Sequence, residues 1–218
     1  MAGNATSDGP ELTGFAPATA EFLRGLAADN TKTYFEAHRD AYTEFVRQPL
    51  EAFLAVAEPI YGPGKVMRPN RDVRFSNNKD PYRTDASMMA GSVGGVYLNL
   101  NPERVEVGGG LYEPARDQLD RARASIAGRP GVAAKLEAAL AGLEASGFVL
   151  AGAPLKTAPR GYDPAHPAIA LLRLQHYAAL RTLPLDSPPS EVLETWSQLV
   201  PLIEWIDEHV GASQIARH

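Results

Sequence analysis

Two stretches of this chain hold side chains able to do chemistry. The first, Arg68 to Arg83, reads RPNRDVRFSNNKDPYR. It carries Arg68, Arg71, Arg74, Lys79 and Arg83 against Asp72 and Asp80, five minus two or +3 locally, in a chain of formal charge −5. Cations crowded this closely repel one another and call for carboxylate partners or an anionic ligand. The second stretch holds Lys156, Arg160, Tyr162, Asp163 and His166. A phosphate or oxyanion site needs several fixed donors in one cleft. Arg71, Arg74, Lys79, Arg83, Lys156 and Arg160 are therefore candidate ligand-binding residues. Tyr82 and Tyr162 can add hydroxyls, and Asp72 can orient an arginine. Asp163 and His166 are the candidate catalytic acid–base residues, because imidazole titrates near neutral pH. Arg71, Arg74, Lys79 and Arg160 are expected to converge on one concave site. Plainer explanations stand beside these: solvated charges on a surface strand and turn for the first stretch, and an Asp-capped turn at Asp163-Pro164 for the second.

Other chemistries find less support. The chain has no cysteine, which removes disulfides, thiolate catalysis and cysteine-bound metals. Its histidines, His38, His166, His176, His209 and His218, show no metal-ligand spacing, and a set of His166, His176 and Asp72 is the best that can be assembled. No metal or other cofactor is expected. There is no GxSxG, GxGxxG or phosphate-loop lysine; Gly108-Gly109-Gly110 lacks the following Gly-Lys-Ser/Thr. That triplet reads as a bulge or a close backbone approach rather than regular strand. The acidic net charge argues against a broad grip on nucleic acid.

The elements that must position these residues follow from periodicity. Pro17 opens a helix with Phe22, Leu23 and Leu26 on its apolar face, stopped near Asn30. Thr33-x-x-Glu36 has a capping-box pattern. The next helix carries Phe35, His38, Tyr42, Phe45 and Val46 on an apolar side and is kinked or restarted by Pro49. Strands are expected at 66–75, with Asp72 and Arg74 paired on one face, and at 85–90, 96–101, 104–110, 148–150 and 175–183. Helices are expected from Pro114 to Gly128, from Val132 to Ala145, briefly after Pro167, and from Pro189 to Ile206 with a kink at Pro201.

The spacing Arg68-x-x-Arg71-Asp72-x-Arg74-Phe75, with Asn78-Lys79 and Tyr82 behind it, resembles the signature of an uncharacterised bacterial family, domain of unknown function 2461, which has fungal relatives. Val96 to Leu100 running on to Gly108 through Pro114 is similar to a second motif of that family. Leu155-Lys156, Pro159 to Asp163 and His166-Pro167 are similar to a third. The resemblance spans roughly Phe15 to Ile206. It departs at Asn99, where the family commonly has His, and at Gln175, where Lys is common. It implies a single-domain cytoplasmic protein and hands over no mechanism.

The expectation is therefore an α+β fold, a central and mainly antiparallel sheet flanked by N-terminal and C-terminal helices. Residues 1–14 read as a disordered tail, 15–210 as a single α+β domain and 211–218 as a C-terminal tail. No apolar run suits a membrane span, and the N-terminus lacks the features of a secretory leader. Two functions stay open. One is binding of a small anionic or phosphorylated ligand in an arginine-lined cleft, with catalysis as an extension. The other is an interaction module that meets an acidic protein or single-stranded nucleic acid through the basic patch. Oligomeric state is not readable.

Overall fold

An antiparallel sheet carries the architecture. The structure is a computed structural model that describes residues 12–72, 74 and 77–215. The strands are β1 (Gly64–Val66), β2 (Ala86–Gly91), β3 (Gly95–Leu100), β4 (Arg104–Leu111), β5 (Val149–Leu150) and β6 (Tyr177–Pro184), in spatial order β1-β2-β3-β4-β6-β5 with every pairing antiparallel. The fold is α+β, as expected.

Alternation decides which face of the sheet is buried. Met88, Leu98, Val107 and Arg181 stand in one row of the register; Ser87, Asn99, Glu106 and Thr182 stand in the next, on the other face. Met88, Leu98 and Val107 are fully buried. Helices α4 (Gln48–Tyr61), α8 (Pro189–Gln198) and α9 (Val200–His209) pack on the sheet, α4 over β1 and β2 and the other two over β4. Phe53 of α4 meets the edge of Trp196 of α8 at 5.9 Å. The Trp196 indole N–H donates to the Tyr97 carbonyl at 3.1 Å, so its one polar atom is satisfied inside the core. Pro201 falls in the first turn of α9, where its missing N–H costs nothing, and the long final helix divides at Leu199.

Several local expectations are corrected. The N-cap of α2 (Lys32–Ala37) is Thr31, whose Oγ1 accepts from the Tyr34 N–H at 3.1 Å; Thr33 lies inside the helix and Glu36 pairs with Arg39. His38 is exposed at the break before α3 (Arg39–Tyr42), stacked on Tyr34 at 4.0 Å. One π-helical turn, Thr43–Arg47, joins α3 to α4. Within that turn the Phe45 carbonyl accepts from the Thr19 hydroxyl of α1 (Pro17–Ala28) at 2.6 Å. Helix α5 (Arg116–Gly128) starts two residues after Pro114, with the Gln118 side chain accepting from the Ala115 N–H at 2.9 Å. Helix α6 (Pro130–Ala145) follows directly.

Gly108 to Gly110 stay in regular register between β3 and β6. The close approach there is that of a neighbouring strand. A Cβ on Gly110, whose φ is +108°, would sit 2.2 Å from the Tyr177 carbonyl oxygen. The expected strand over 66–75 ends at Val66, and Asp72 and Arg74 lie outside any strand; Val73 and Phe75 fall outside the described residues. The described residues of 67–85 form a long excursion outside the sheet, and among them one bridge joins Asn70 to Tyr82.

At the chain ends, residues 1–11 and 216–218 lie outside the described residues, and so does most of the segment read as an N-terminal tail. Leu12 packs on the core. Residues 211–215 are tied to α5: Arg121 donates to the Val210, Gly211 and Ala212 carbonyls, and Asp117 accepts from Ser213 and Gln214. Among the described residues no helix is long and apolar enough to cross a membrane.

Candidate functional site

The 67–85 excursion is shaped by what its backbone cannot do. Pro69 and Pro81 have no N–H, so neither can join a ladder as a donor. Both serve as acceptors instead: Arg83 N–H donates to the Pro69 carbonyl and Arg71 N–H to the Pro81 carbonyl, each at 2.8 Å. Asn30, between α1 and α2, locks the result. Its side-chain amide donates to the Tyr82 carbonyl at 3.1 Å and its oxygen accepts from the Tyr82 N–H at 3.0 Å. The Tyr82 ring is buried and lies flat on Phe35, centroids 4.2 Å apart and planes 8° apart. Tyr82 thus anchors the excursion to the core.

Around this anchor the excursion walls a cavity of about 440 Å³, lined by Met67, Arg68, Asn70, Arg71, Asp72, Arg83 and Asp85. Two of its arginine–carboxylate relationships are closed. Arg74 pairs with Asp72 at 2.6 Å at an exposed position, which pulls the Asp72 carboxyl below its usual range. Arg83 pairs with Asp85 Oδ2 at 2.6 Å, and the Asn99 amide donates to the same oxygen at 2.6 Å. Burial pushes the Asp85 carboxyl up, but the bonds from Arg83 and Asn99 outweigh it and hold it low. Arg83 Nε is buried with no hydrogen-bond partner among the described residues. Arg68 and Arg71 line the cavity without a close ion pair or side-chain hydrogen bond to a described residue, and Arg68 acts on the Asp72 carboxylate from farther off.

Beyond Asp85 the polar row continues over the sheet face away from the core helices. Ser87 and Asn99 are buried and paired in register, and both side chains lie against the Tyr97 hydroxyl. Burial raises the Tyr97 pKa, and these two bonds partly oppose the rise. Sequence reasoning left Asp85, Ser87 and Tyr97 out of the site and noted Asn99 only as a departure from the family pattern. The alternation of β3 already put Tyr97 and Asn99 on one face, which was the available signal.

The second basic stretch stands elsewhere. β1 runs toward the end of the sheet where Ala86 pairs with Leu100, and the 67–85 excursion fills that corner. β5 is the opposite edge, and the chain leaves it toward the opposite end, with Ala151 N–H bonded to the Ala178 carbonyl. The two basic stretches therefore leave the sheet at diagonal corners, and Lys156, Arg160 and Tyr162 are not among the residues lining the cavity. Lys156 and Arg160 are exposed, and Tyr162 is half-buried against the core. Asp163 Oδ1 accepts from the Ala165 N–H at 2.8 Å, the short Asp turn. His166 Nδ1 accepts from the Ala168 N–H at 3.0 Å, which leaves the ring proton on Nε2 in the neutral form. Lys79 is exposed. Among the described residues no group of three His, Asp or Glu side chains could hold a metal ion.

The architecture is that of an α+β protein with an arginine-walled cavity at one corner of its sheet. Residues 18–205 match the family of conserved hypothetical proteins DUF2461, and the chain belongs to that family. No curated protein matches it.

Proposed function

We propose that the protein binds a small anionic ligand, a phosphorylated or otherwise oxyanionic metabolite, in the cavity walled by Arg68, Arg71 and Arg83. The observation that carries this reading is the pair Arg68 and Arg71, which line a cavity of ligand size with no ion pair to a described residue. The close pairs of Asp72 and Asp85 are with Arg74 and Arg83, and Arg68 reaches the Asp72 carboxylate only at longer range. A planar guanidinium fork matches a phosphate or carboxylate edge, so two such forks form a donor set suited to an oxyanion. Asp163 and His166 belong to a different corner, so the reading is binding, with no acid–base step assigned to them. Single-stranded nucleic acid fits less well, because it needs aromatic platforms beside the cations and the Tyr82 ring is committed to Phe35. A cytoplasmic metabolite is the ligand class intended, in keeping with a chain that has no cysteine.

The test is thermal unfolding in inorganic phosphate against chloride at matched ionic strength. Phosphate should raise the midpoint in proportion to occupancy. Arg71→Ala and Arg68→Ala should each remove most of that rise. An equal response to chloride, or a phosphate response untouched by both substitutions, would overturn the reading.

A further inference from the structure

The lining of the basic cavity bears on what body its anion carries. Six of its seven residues are charged or carry an amide, Met67 is the one apolar side chain, and none is aromatic. At about 440 Å³ it falls within the usual span of small-molecule sites, about 300–1,000 Å³, so it has room for more than a phosphate. Apolar space does not adjoin it in useful amount. A recess behind it shares Arg68, Arg83 and Asp85 and backs onto Phe22 and Leu26, but its volume of about 10 Å³ holds no more than about one water. The larger groove on the open face of the sheet, about 720 Å³ and lined by Met89, Tyr97 and Leu180 among others, shares no lining residue with the cavity. An aromatic or acyl body would therefore meet charged and amide groups at every wall except Met67.

The same walls suit hydroxyls. The Asn70 side-chain amide makes no hydrogen bond to a described residue, while its backbone is fixed by the bridge to Tyr82. It offers two donors and an acceptor. Both side-chain bonds to Asp85 fall on Oδ2, which leaves Oδ1 as an acceptor. A hydroxyl donates and accepts, so it can pair with either residue, whereas an aryl or alkyl carbon would leave both unpaired. Charge limits the number of anionic groups. Arg68, Arg71 and Arg83 share the lining with Asp72 and Asp85, three cations to two anions. One phosphate is matched by the forks of Arg68 and Arg71. A second would come up against the two carboxylates and be repelled.

We infer that the protein's ligand is a monophosphate ester of a hydroxylated, non-aromatic body, a sugar or polyol phosphate. Its phosphate sits on Arg68 and Arg71, and its hydroxyls bond Asn70 and Asp85. This rests on the anion-binding reading and names its substrate class.

The experiment is calorimetry on the full chain with glucose 6-phosphate, phenyl phosphate, inorganic phosphate and fructose 1,6-bisphosphate. Glucose 6-phosphate should bind about tenfold tighter, or better, than phenyl phosphate and inorganic phosphate, as two ordinary hydrogen bonds would give. The bisphosphate should bind no tighter than glucose 6-phosphate. Asn70→Ala, at an exposed position and with the backbone bridge retained, should cut the advantage over phenyl phosphate to about threefold or less, the loss of one such bond. Arg71→Ala should weaken every ligand. A smaller advantage in the parent, or one that Asn70→Ala leaves intact, would overturn the inference while the anion reading stands. A bisphosphate that binds tighter than glucose 6-phosphate would overturn it as well. If none of the four binds, or if Arg71→Ala changes nothing, both readings fall together.

Discussion

Asn99 and Arg83 share a single acceptor: each donates to Asp85 Oδ2 at 2.6 Å. Arg83 comes from the excursion and Asn99 from the second strand in from the edge. One carboxylate oxygen thus fastens the basic cavity to the sheet. Asp85→Ala should leave Arg83 without its partner and Asn99 with a buried donor unmet. The expected cost is about 1–3 kcal/mol, between an exposed and a fully buried pair. The pH response has a definite sign. The Asp85 carboxyl is held low in the folded state. Its contribution is therefore fully present above the unfolded value of about 3.9 and is lost as pH falls through the folded value. Urea unfolding between pH 7 and 3 should show the variant losing less stability on acidification than the parent. Parallel curves would contradict this.

Arg74→Ala should be nearly silent. Arg74 pairs with Asp72 at 2.6 Å, yet its side chain is 76% exposed. Solvent screens such a pair, so its loss should leave the denaturation midpoint almost unmoved. A clearly lowered midpoint would show a buried role that the Asp72 pair does not provide. The phosphate response should also survive the substitution, in contrast with Arg71→Ala.

Asn30→Ala should loosen the excursion from a distance of 52 residues. It removes both bonds to the Tyr82 backbone, leaving a part-buried N–H and carbonyl unmet at a cost of about 1–3 kcal/mol. Hydrogen exchange should find the Tyr82 and Arg83 amides less protected in the alanine variant, with β4 unchanged. Uniform loss of protection across the sheet would argue instead for a global effect.

These outcomes also mark how far the sequence could be read. The alternation of Val96, Leu98 and Leu100 and the apolar face of 192–206 announced the sheet and the C-terminal helices, because burial imposes those periods directly. The excursion was misread as strand because an Asp and an Arg two apart can pair in a strand or in a loop; spacing does not separate the two. Thr31 and Thr33 are equally good caps on paper, and only the helix start decides between them. The Asn30–Tyr82 tie and the Asp85–Asn99 bond join residues far apart in the chain, and no local pattern encodes them. Grouping the two basic stretches failed for a related reason: their similar composition says nothing about strand order, and β5 sits at the far edge from β1.

The C-terminal segment supplies the last prediction. Asp117, in the first turn of α5, accepts from the Gln214 N–H and the Ser213 hydroxyl and pairs with Arg121, each at 2.8 Å. The Gln214 bond is the foremost cause, and with Arg121 and Ser213 it overcomes desolvation and lowers the Asp117 pKa to about 2. A depressed carboxyl stabilises the docked state above its unfolded pKa, about 3.9, and ceases to do so as pH falls through the folded value. Residues 211–215 should therefore stay docked at pH 5 and detach between about pH 4 and pH 2, ahead of the sheet if the core holds. Ala212 and Ser213 also line the sheet groove, so detachment should open that end of it. The Gln214 amide resonance, followed by NMR through an acid titration, should move with a midpoint near 2. In Asp117→Asn the same resonance should report a more mobile segment already at pH 7, since the neutral amide accepts more weakly and no longer pairs with Arg121. A Gln214 resonance in Asp117→Asn identical to the parent at pH 7 would show that the Arg121 and Gln118 bonds to the Val210, Gly211 and Ala212 carbonyls hold the segment without Asp117.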